Sequence, residues 1–203
     1  MADIPDPLEE TIRTYDANVG AYIQRTEHLS AERKLERFMR HVQAPARVLS
    51  VGCGYGKDEA VLAARGYGVT GIDLSAAMIA EAERRVPAVR FQEMDMRSLL
   101  FEEYCFDGVY CMASLHHLSR SDAPQALREM RRVLVPSGTL FISVKEGSGD
   151  ELRTLGTGTV RETFYDDAGF REMLQGAGFT VAEFSTDDAR TATPKRWLNY
   201  YCN

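Results

Sequence analysis

The stretch VLSVGCGYGKD, residues 48–58, decides the reading: an apolar strand runs into a turn with glycine at 52, 54 and 56, and a helix-like segment starts directly behind it. Glycine adopts positive φ without steric cost and lets backbone N–H groups approach a ligand, so this pattern between strand and helix marks a nucleotide-type loop. A dinucleotide fingerprint needs its third glycine at position 57, where this chain has Lys57, so the spacing is GxGxG rather than GxGxxG. A Walker-type phosphate loop fails as well, because Gly56-Lys57 is followed by Asp58 in place of Ser or Thr. A purely structural turn is the competing explanation of the same glycines.

Outward from this turn, short apolar strands alternate with longer amphipathic stretches, with no internal repeat. Leu29–Val42 carries Leu35, Phe38, Met39 and Val42 at helical spacing, and Pro45 separates it from the strand Arg47–Val51. Helix-like Asp58–Arg65, the strand Gly68–Asp73, a helix opened by Ser75 as N-cap and the short strand Ala88–Gln92 follow. Phe106–Met112 reads as a fourth strand, Ala123–Leu134 as a helix stopped at Pro136-Ser137-Gly138, and Thr139–Val144 as a fifth strand. Glu146–Thr163, with four glycines, four threonines and little periodicity, predicts a surface loop, so 146–164 is assigned as a lid or substrate loop. Asp166–Gln175 reads as a helix, Phe179–Ser185 as a strand and Lys195–Cys202 as a last strand at the sheet edge. Residues 1–28 predict a helical cap, with 7–26 as its helical part. The whole chain, 1–203, reads as one α/β domain with a mostly parallel sheet, whose ligands bind at the carboxyl ends of the strands.

The 203 residues hold 24 Lys and Arg against 30 Asp and Glu, a net charge of −6, so nucleic acid is a disfavoured partner: a duplex-binding patch would work against the global field. The start MADIPDPLEE lacks the basic and apolar regions of a secretory signal, and no apolar run approaches the roughly 20 residues that cross a bilayer. The expectation is a cytoplasmic protein with no membrane contact. Cys53, Cys105, Cys111 and Cys202 form no CxxC pair and have no histidine at finger-like spacing, so no metal is expected and the thiols are expected to be free. The sequence leaves the oligomeric state open.

Seventeen residues after Gly56, Asp73 ends the second strand, where a carboxylate accepts hydrogen bonds from ribose hydroxyls. Asp95, in FQEMDM, follows the third strand, where it can accept from an adenine amino group while the Met96 amide faces the ring edge. Either aspartate alone is equally a turn or cap residue. The register of both with the glycine turn carries the reading. Over residues 30–185 the chain resembles the class I S-adenosylmethionine-dependent methyltransferases, through VLSVGCGYG, GIDLSAAMI, EMDM, FDGVYCMASLHHL and LREMRRVLVPSGTLFISVKEG in the family's order. The resemblance implies a Rossmann-like sheet of seven strands with helices on both faces and the last strand antiparallel. It implies S-adenosylmethionine as cofactor, leaving as S-adenosylhomocysteine. By the same resemblance Gly52, Gly54 and Gly56, with Cys53, approach the methionine part and Asp73 the ribose. Asp95 and Met96 meet the adenine, Leu74 and Met78 flank it, and Met112 lines the site. One position departs from the pattern: the third residue of the opening motif is usually acidic and helps place the ligand's amino group, and here it is Ser50. Asp58 at the next helix start is the candidate to stand in for it.

Methyl transfer is an in-line displacement that gains from orientation and desolvation, and it needs a base only when the acceptor carries a proton. His116 and His117, just after the fourth strand, are the catalytic candidates, with positioning or packing as the alternative. Tyr15 and Tyr22, seven apart, predict one helical face whose rings lie over a sulfonium, and Arg25 on the same helix can take a carboxylate; packing on the core explains the same face. Tyr165, Trp197 and Tyr200 are candidate walls for an apolar acceptor, and Arg153 and Arg161 for an anionic one. The expected activity is methyl transfer to an oxygen or nitrogen of a small-molecule acceptor. The alternatives are a non-catalytic adenosine-binding scaffold, which Ser50 keeps open, and a nicotinamide-dependent oxidoreductase, which Lys57 and the lack of a YxxxK pair oppose.

Overall fold

The computed structural model describes residues 6–188 and 196–203. Residues 1–5 of the expected cap and Lys195 of the expected final strand therefore lie outside the described residues. Two helices precede the core, α1 (Pro7–Ala17) and α2 (Val19–Thr26), followed by α3 (Glu32–His41). Asp6 caps α1 by accepting from the Leu8 N–H, and Pro7 occupies the first turn, where no N–H is needed. Asn18 ends α1, so Tyr15 and Tyr22 belong to two helices instead of the single helical face expected; the Asn18 side chain donates to the Thr14 carbonyl and competes with helix continuation.

The core alternates β1 (Arg47–Val51), α4 (Lys57–Ala64), β2 (Gly68–Asp73), α5 (Ala76–Arg85), β3 (Arg90–Glu93), β4 (Phe106–Met112), α6 (Ala123–Val133) and β5 (Leu134–Glu146). These strands pair in parallel in the order β3-β2-β1-β4-β5. Strands buried on both faces become near-continuous apolar runs, which is why β1 and β4 show no polar alternation. Their side chains still divide by the pleat. Leu49, Val51, Val109 and Cys111 pack with Leu127, Met130 and Phe170 on one face of the sheet. Val48 and Tyr110 pack with Leu35, Phe38, Leu62 and Phe141 on the other.

Two features depart from the sequence expectation. The segment assigned as a lid is a β-hairpin, β6 (Asp150–Leu155) and β7 (Gly158–Tyr165), closed by a two-residue turn with Gly156 at φ 59°. Its glycines lie at the ends and the turn, and the β-branched Thr154, Thr159, Val160 and Thr163 suit the pleated stretches between them. After α7 (Asp167–Gly176), the chain forms β8 (Val181–Asp188) and β9 (Arg196–Cys202). β9 lies antiparallel between β5 and β8, so β8 is the outer strand and the last strand is interior. Its residues explain why: Leu198, Tyr200, Tyr201 and Cys202 are buried on both faces, as an edge strand's would not be. The resulting seven strands, β3-β2-β1-β4-β5-β9-β8, with one antiparallel member, match the Rossmann-like expectation, and the hairpin adds two more beyond the end of β4, where Glu146 pairs with Tyr165.

Gly71 shows how tightly the sheet holds its helices: a Cβ there would lie 2.6 Å from the Phe91 ring. Gly71→Ala is expected to lower unfolding stability by about 1–3 kcal/mol through overpacking. Urea denaturation checks this, and Phe91→Leu in the same chain should recover part of the loss because it removes the colliding ring atoms.

Candidate active site

The turn after β1 is built from backbone that side chains resist. Gly52, Gly54 and Gly56 have φ of 71°, 54° and 82°. A Cβ on Gly52 would lie 1.9 Å from Ser114 Oγ, whereas one on Gly54 would meet nothing within 4 Å, so open space stands over Gly54. The Gly52 and Cys53 N–H groups donate to the Ile72 carbonyl, which fastens the turn to β2. Cys53 is partly buried, and burial pushes its thiol well up, away from nucleophilic use.

Asp73 accepts from the Gly54 N–H at 2.9 Å on one carboxylate oxygen and from the Ser75 N–H at 3.0 Å on the other. Burial pushes its carboxyl pKa up, against the pull of these donors. Ser75 in turn caps α5 by accepting from Met78 N–H, as the sequence predicts, and donates to Asp16 of α1 at 2.5 Å. Met78 is buried against Ile23 and Tyr55, and Leu74 beside it is partly buried. Arg97 holds Asp95 through Nε at 2.9 Å and a terminal guanidinium nitrogen at 2.7 Å, because the two residues flank one tight turn. Met96 behind it is buried.

Asp58, the candidate to stand in at the position that departs from the family pattern, accepts from the Tyr110 hydroxyl at 3.2 Å through Oδ2. Ser50 forms a very short hydrogen bond to Glu59 Oε1. Glu59 is 1% exposed and its Oε2 has no partner. Burial, reinforced by the neighbouring Asp58, pushes its carboxyl up to about 8. Sequence reasoning missed this residue; the available signal was its position three before buried Leu62, on the inward face of α4. Lys57, the residue that breaks the dinucleotide spacing, turns away from the loop and donates to the carbonyls of Thr26, Glu27 and Leu29, tying α4 to the end of α2.

Past β4, Ala113 at φ 53° leads into a short 3-10 turn, Leu115–His117. Here the two histidines separate. His117 Nδ1 lies 2.6 Å from the Arg161 carbonyl and must donate to it, leaving Nε2 to accept from the Tyr15 hydroxyl at 3.0 Å. Burial pushes His117 down to about 4, so it is neutral at pH 7. His116 is buried too, its pKa driven well below the usual value by desolvation, and its Nδ1 has no partner. The Trp197 ring meets His116 edge-on at 5.4 Å, and Lys145 lies 5.4 Å over the same indole.

Tyr15, Tyr22 and Tyr55 form a chain of edge-to-face rings at 5.3 and 6.1 Å that starts from His117. Arg25 is exposed and lies over Tyr22, so it contacts the outside of this chain. Met112 is partly buried and its sulfur sits 3.2 Å from the Tyr110 hydroxyl. Of the acceptor candidates, Tyr200 is core: it is fully buried and donates to Asp167. Tyr165 is also buried, under the Arg120 guanidinium. Arg153 and Lys145 both bind buried Glu162 at 2.5 Å, and Arg161 pairs with Asp150.

Residues 48–138 match the methyltransferase domain family. A putative methyltransferase of Bacillus subtilis is 36% identical over 103 residues, 48% of this chain and 42% of its own length. A malonyl-[acyl-carrier protein] O-methyltransferase of Erwinia pyrifoliae is 35% identical over 130 residues, covering 62% of this chain and 49% of the relative. The chain thus spans about half the length of these curated relatives. Among solved structures, the 1,6-didemethyltoxoflavin-N1-methyltransferase of Burkholderia thailandensis, bound to its substrate and S-adenosylhomocysteine, is 26% identical, with TM-score 0.74 over 100% of this chain and 92% of that one. By matched segment and strand order, this chain is similar to the class I S-adenosylmethionine-dependent methyltransferases.

Proposed function

We propose that the protein transfers the methyl group of S-adenosylmethionine to an oxygen or nitrogen of a small-molecule acceptor. The observation that carries the reading is the open turn at Gly54 with Asp73 locked beside it, within the family-matched segment. The donor set fits the cofactor. The turn leaves room for its methionine part, Asp73 has lone pairs left for ribose hydroxyls, and the carboxyls of Asp58, Glu59 and Asp73 suit a ligand that arrives with two positive centres. Leu74 and Met78 provide the apolar flank for adenine. Met96 provides a backbone N–H for the ring edge. Asp95, engaged by Arg97, contributes through its remaining lone pairs.

When bound, the cofactor supplies a sulfonium methyl group that an in-line nucleophile displaces. The chain's part is placement and desolvation. Tyr15 and Tyr22 present aromatic rings near the turn, where a cation over a ring is worth roughly 0.5–2 kcal/mol. His117, with both nitrogens engaged, holds Tyr15 against β7 and acts as a positioning residue. His116, whose buried Nδ1 has no partner, is the candidate to accept a hydrogen bond from the acceptor as a positioning group and not as a base, since its pKa lies well below the usual value. Trp197 meets it edge-on at 5.4 Å. The relatives' names give methyl transfer to oxygen of a malonyl group on acyl-carrier protein in the Erwinia protein and to nitrogen of a small molecule in the Burkholderia one, and the second supports a small acceptor. The free cysteines, together with the absence among the described residues of a helix long and apolar enough to cross a membrane, support placement in the cytoplasm.

Calorimetric titration tests the reading: S-adenosylmethionine and S-adenosylhomocysteine are expected to bind saturably, and NAD binding tighter than S-adenosylhomocysteine would overturn it. Asp73→Ala is expected to weaken S-adenosylhomocysteine binding by about 1–3 kcal/mol, since it strips hydrogen bonds from buried polar groups. His117 yields a prediction of a different kind. Its pKa falls from 6.5 to about 4 on folding, so below pH 6.5 the unfolded chain binds a proton that the folded chain refuses. Stability should drop as pH falls from 6.5 towards 4 and level off below that. Denaturant midpoints at pH 7 and 4.5 should show a drop smaller in His117→Gln than in wild type by on the order of 2 kcal/mol. The lost Tyr15 and Arg161 hydrogen bonds weaken the variant equally at both pH values and cancel in that comparison.

A further inference from the structure

Three carboxyl groups stand around the glycine turn, and of these only Asp58 has lysines, Lys57 and Lys34, acting on it. Asp58 and Glu59 come from the first turn of α4 and Asp73 from the end of β2. Lys57, the cation nearest in sequence, is turned onto the carbonyls of Thr26, Glu27 and Leu29. Asp58 has the Tyr110 hydroxyl as partner, and Asp73 has two backbone N–H groups. Glu59 alone is left short: Ser50 serves Oε1, while Oε2 is buried with nothing to bond. A buried carboxylate with one oxygen unpartnered is costly, and a native chain that keeps one has a partner for it in some state.

From this geometry we infer that Glu59, held by Ser50, receives the ammonium group of the cofactor's methionine part; the inference rests on the cofactor reading above. The carboxyl thus comes from α4, nine residues after the β1 position where the family pattern places it, and Ser50 takes the role of orienting that carboxyl. The size match is direct: a short strand side chain at 50 leaves room for a longer helix side chain from 59 to reach the same spot. An ammonium is the partner suited to it because it supplies both a donor for Oε2 and a charge for the carboxylate. The groups facing Glu59 are Asp58 on its own helix, Asp73 on β2, Cys53 in the turn and Tyr110 on β4, none of them cationic. With no cation present they hold Glu59 protonated at pH 7, given its value of about 8. Ammonium binding then ionises it and releases a proton.

The test compares S-adenosylhomocysteine with its deaminated analogue, which keeps the carboxylate, by calorimetry on the full chain. Glu59→Gln is nearly isosteric and is expected to weaken S-adenosylhomocysteine about 10- to 100-fold while changing the analogue less than about threefold. Ser50→Asp in the Glu59→Gln chain should recover a large part of the loss. Equal losses for both ligands, or no loss for either, would overturn the inference. Analogue binding by the variant also reports that it folds. A second measurement needs no variant: wild-type titrations at pH 7 in buffers of differing ionisation enthalpy should show proton release with S-adenosylhomocysteine and none with the analogue. The same release for both ligands would overturn the inference. S-adenosylhomocysteine binding that ignores Glu59→Gln sinks this inference alone, whereas no binding to wild type removes the cofactor reading together with it.

Discussion

The Asp73 carboxylate is the constraint from which the site follows. One oxygen holds Gly54 and the other holds Ser75, so a single side chain fixes the turn after β1 and the start of α5 to the end of β2. The turn in turn fastens to the Ile72 carbonyl one residue earlier. Because β1 and β2 pair in parallel through Val51 and Ile72, both strands deliver their chain ends to the same level. The left-handed glycines convert that coincidence into a loop whose backbone stays open to a ligand. Remove the carboxylate and three elements lose their common anchor.

The opposite wall depends on a second set of ties that run far along the chain. α1 is sewn to the hairpin by Thr14 Oγ1 donating to the Thr159 carbonyl and by Thr11 Oγ1 accepting from Arg161 N–H. A Cβ on Gly158 would lie 2.2 Å from Thr14 Oγ1, so the close approach of helix to strand requires glycine there. Asp16, two residues after Thr14 and so on nearly the opposite face of the helix, accepts from the Ser75 hydroxyl and the Ala77 N–H and links the same helix to α5. α1 therefore bridges the cofactor side and the hairpin side of the sheet. His117 sits at the joint, bonded to Tyr15 of α1 and to Arg161 of β7. Its neutrality at pH 7 suits that role, since an imidazolium could not accept the tyrosine proton.

The sheet was legible because its strands are buried on both faces and its turns carry Gly and Pro at the ends: β1, β2 and β4 begin and end at the residues the pattern predicts. The hairpin was hidden because it is built of Thr, Gly and charged residues. Its apolar support comes from long-range contact with α1 and the short turn after β4, which no local pattern reveals. The interior place of β9 likewise depends on which neighbour arrives first in space. In the site, the glycines, Asp73 and Ser75 were visible as motif positions. Glu59 was not, because acidic residues in a first helical turn usually serve the helix dipole, and only the missing partner of Oε2 distinguishes this one. Asp95 shows the reverse case, a motif residue whose neighbour two positions on already occupies much of its carboxylate.

Charge is sorted between the glycine turn and the hairpin. The turn side gathers Asp16, Asp58, Glu59 and Asp73, while the hairpin side gathers Lys145 and Arg153 around the single carboxylate of Glu162. The first surrounding favours a ligand rich in positive charge. The second sets two cations and one carboxylate near His116 and Trp197. Partly buried charges act at a lower effective dielectric than charges in water, so the two groups keep distinct local fields without any rearrangement. A neutral imidazole at 117 preserves this division, because a charge there would add to the positive side.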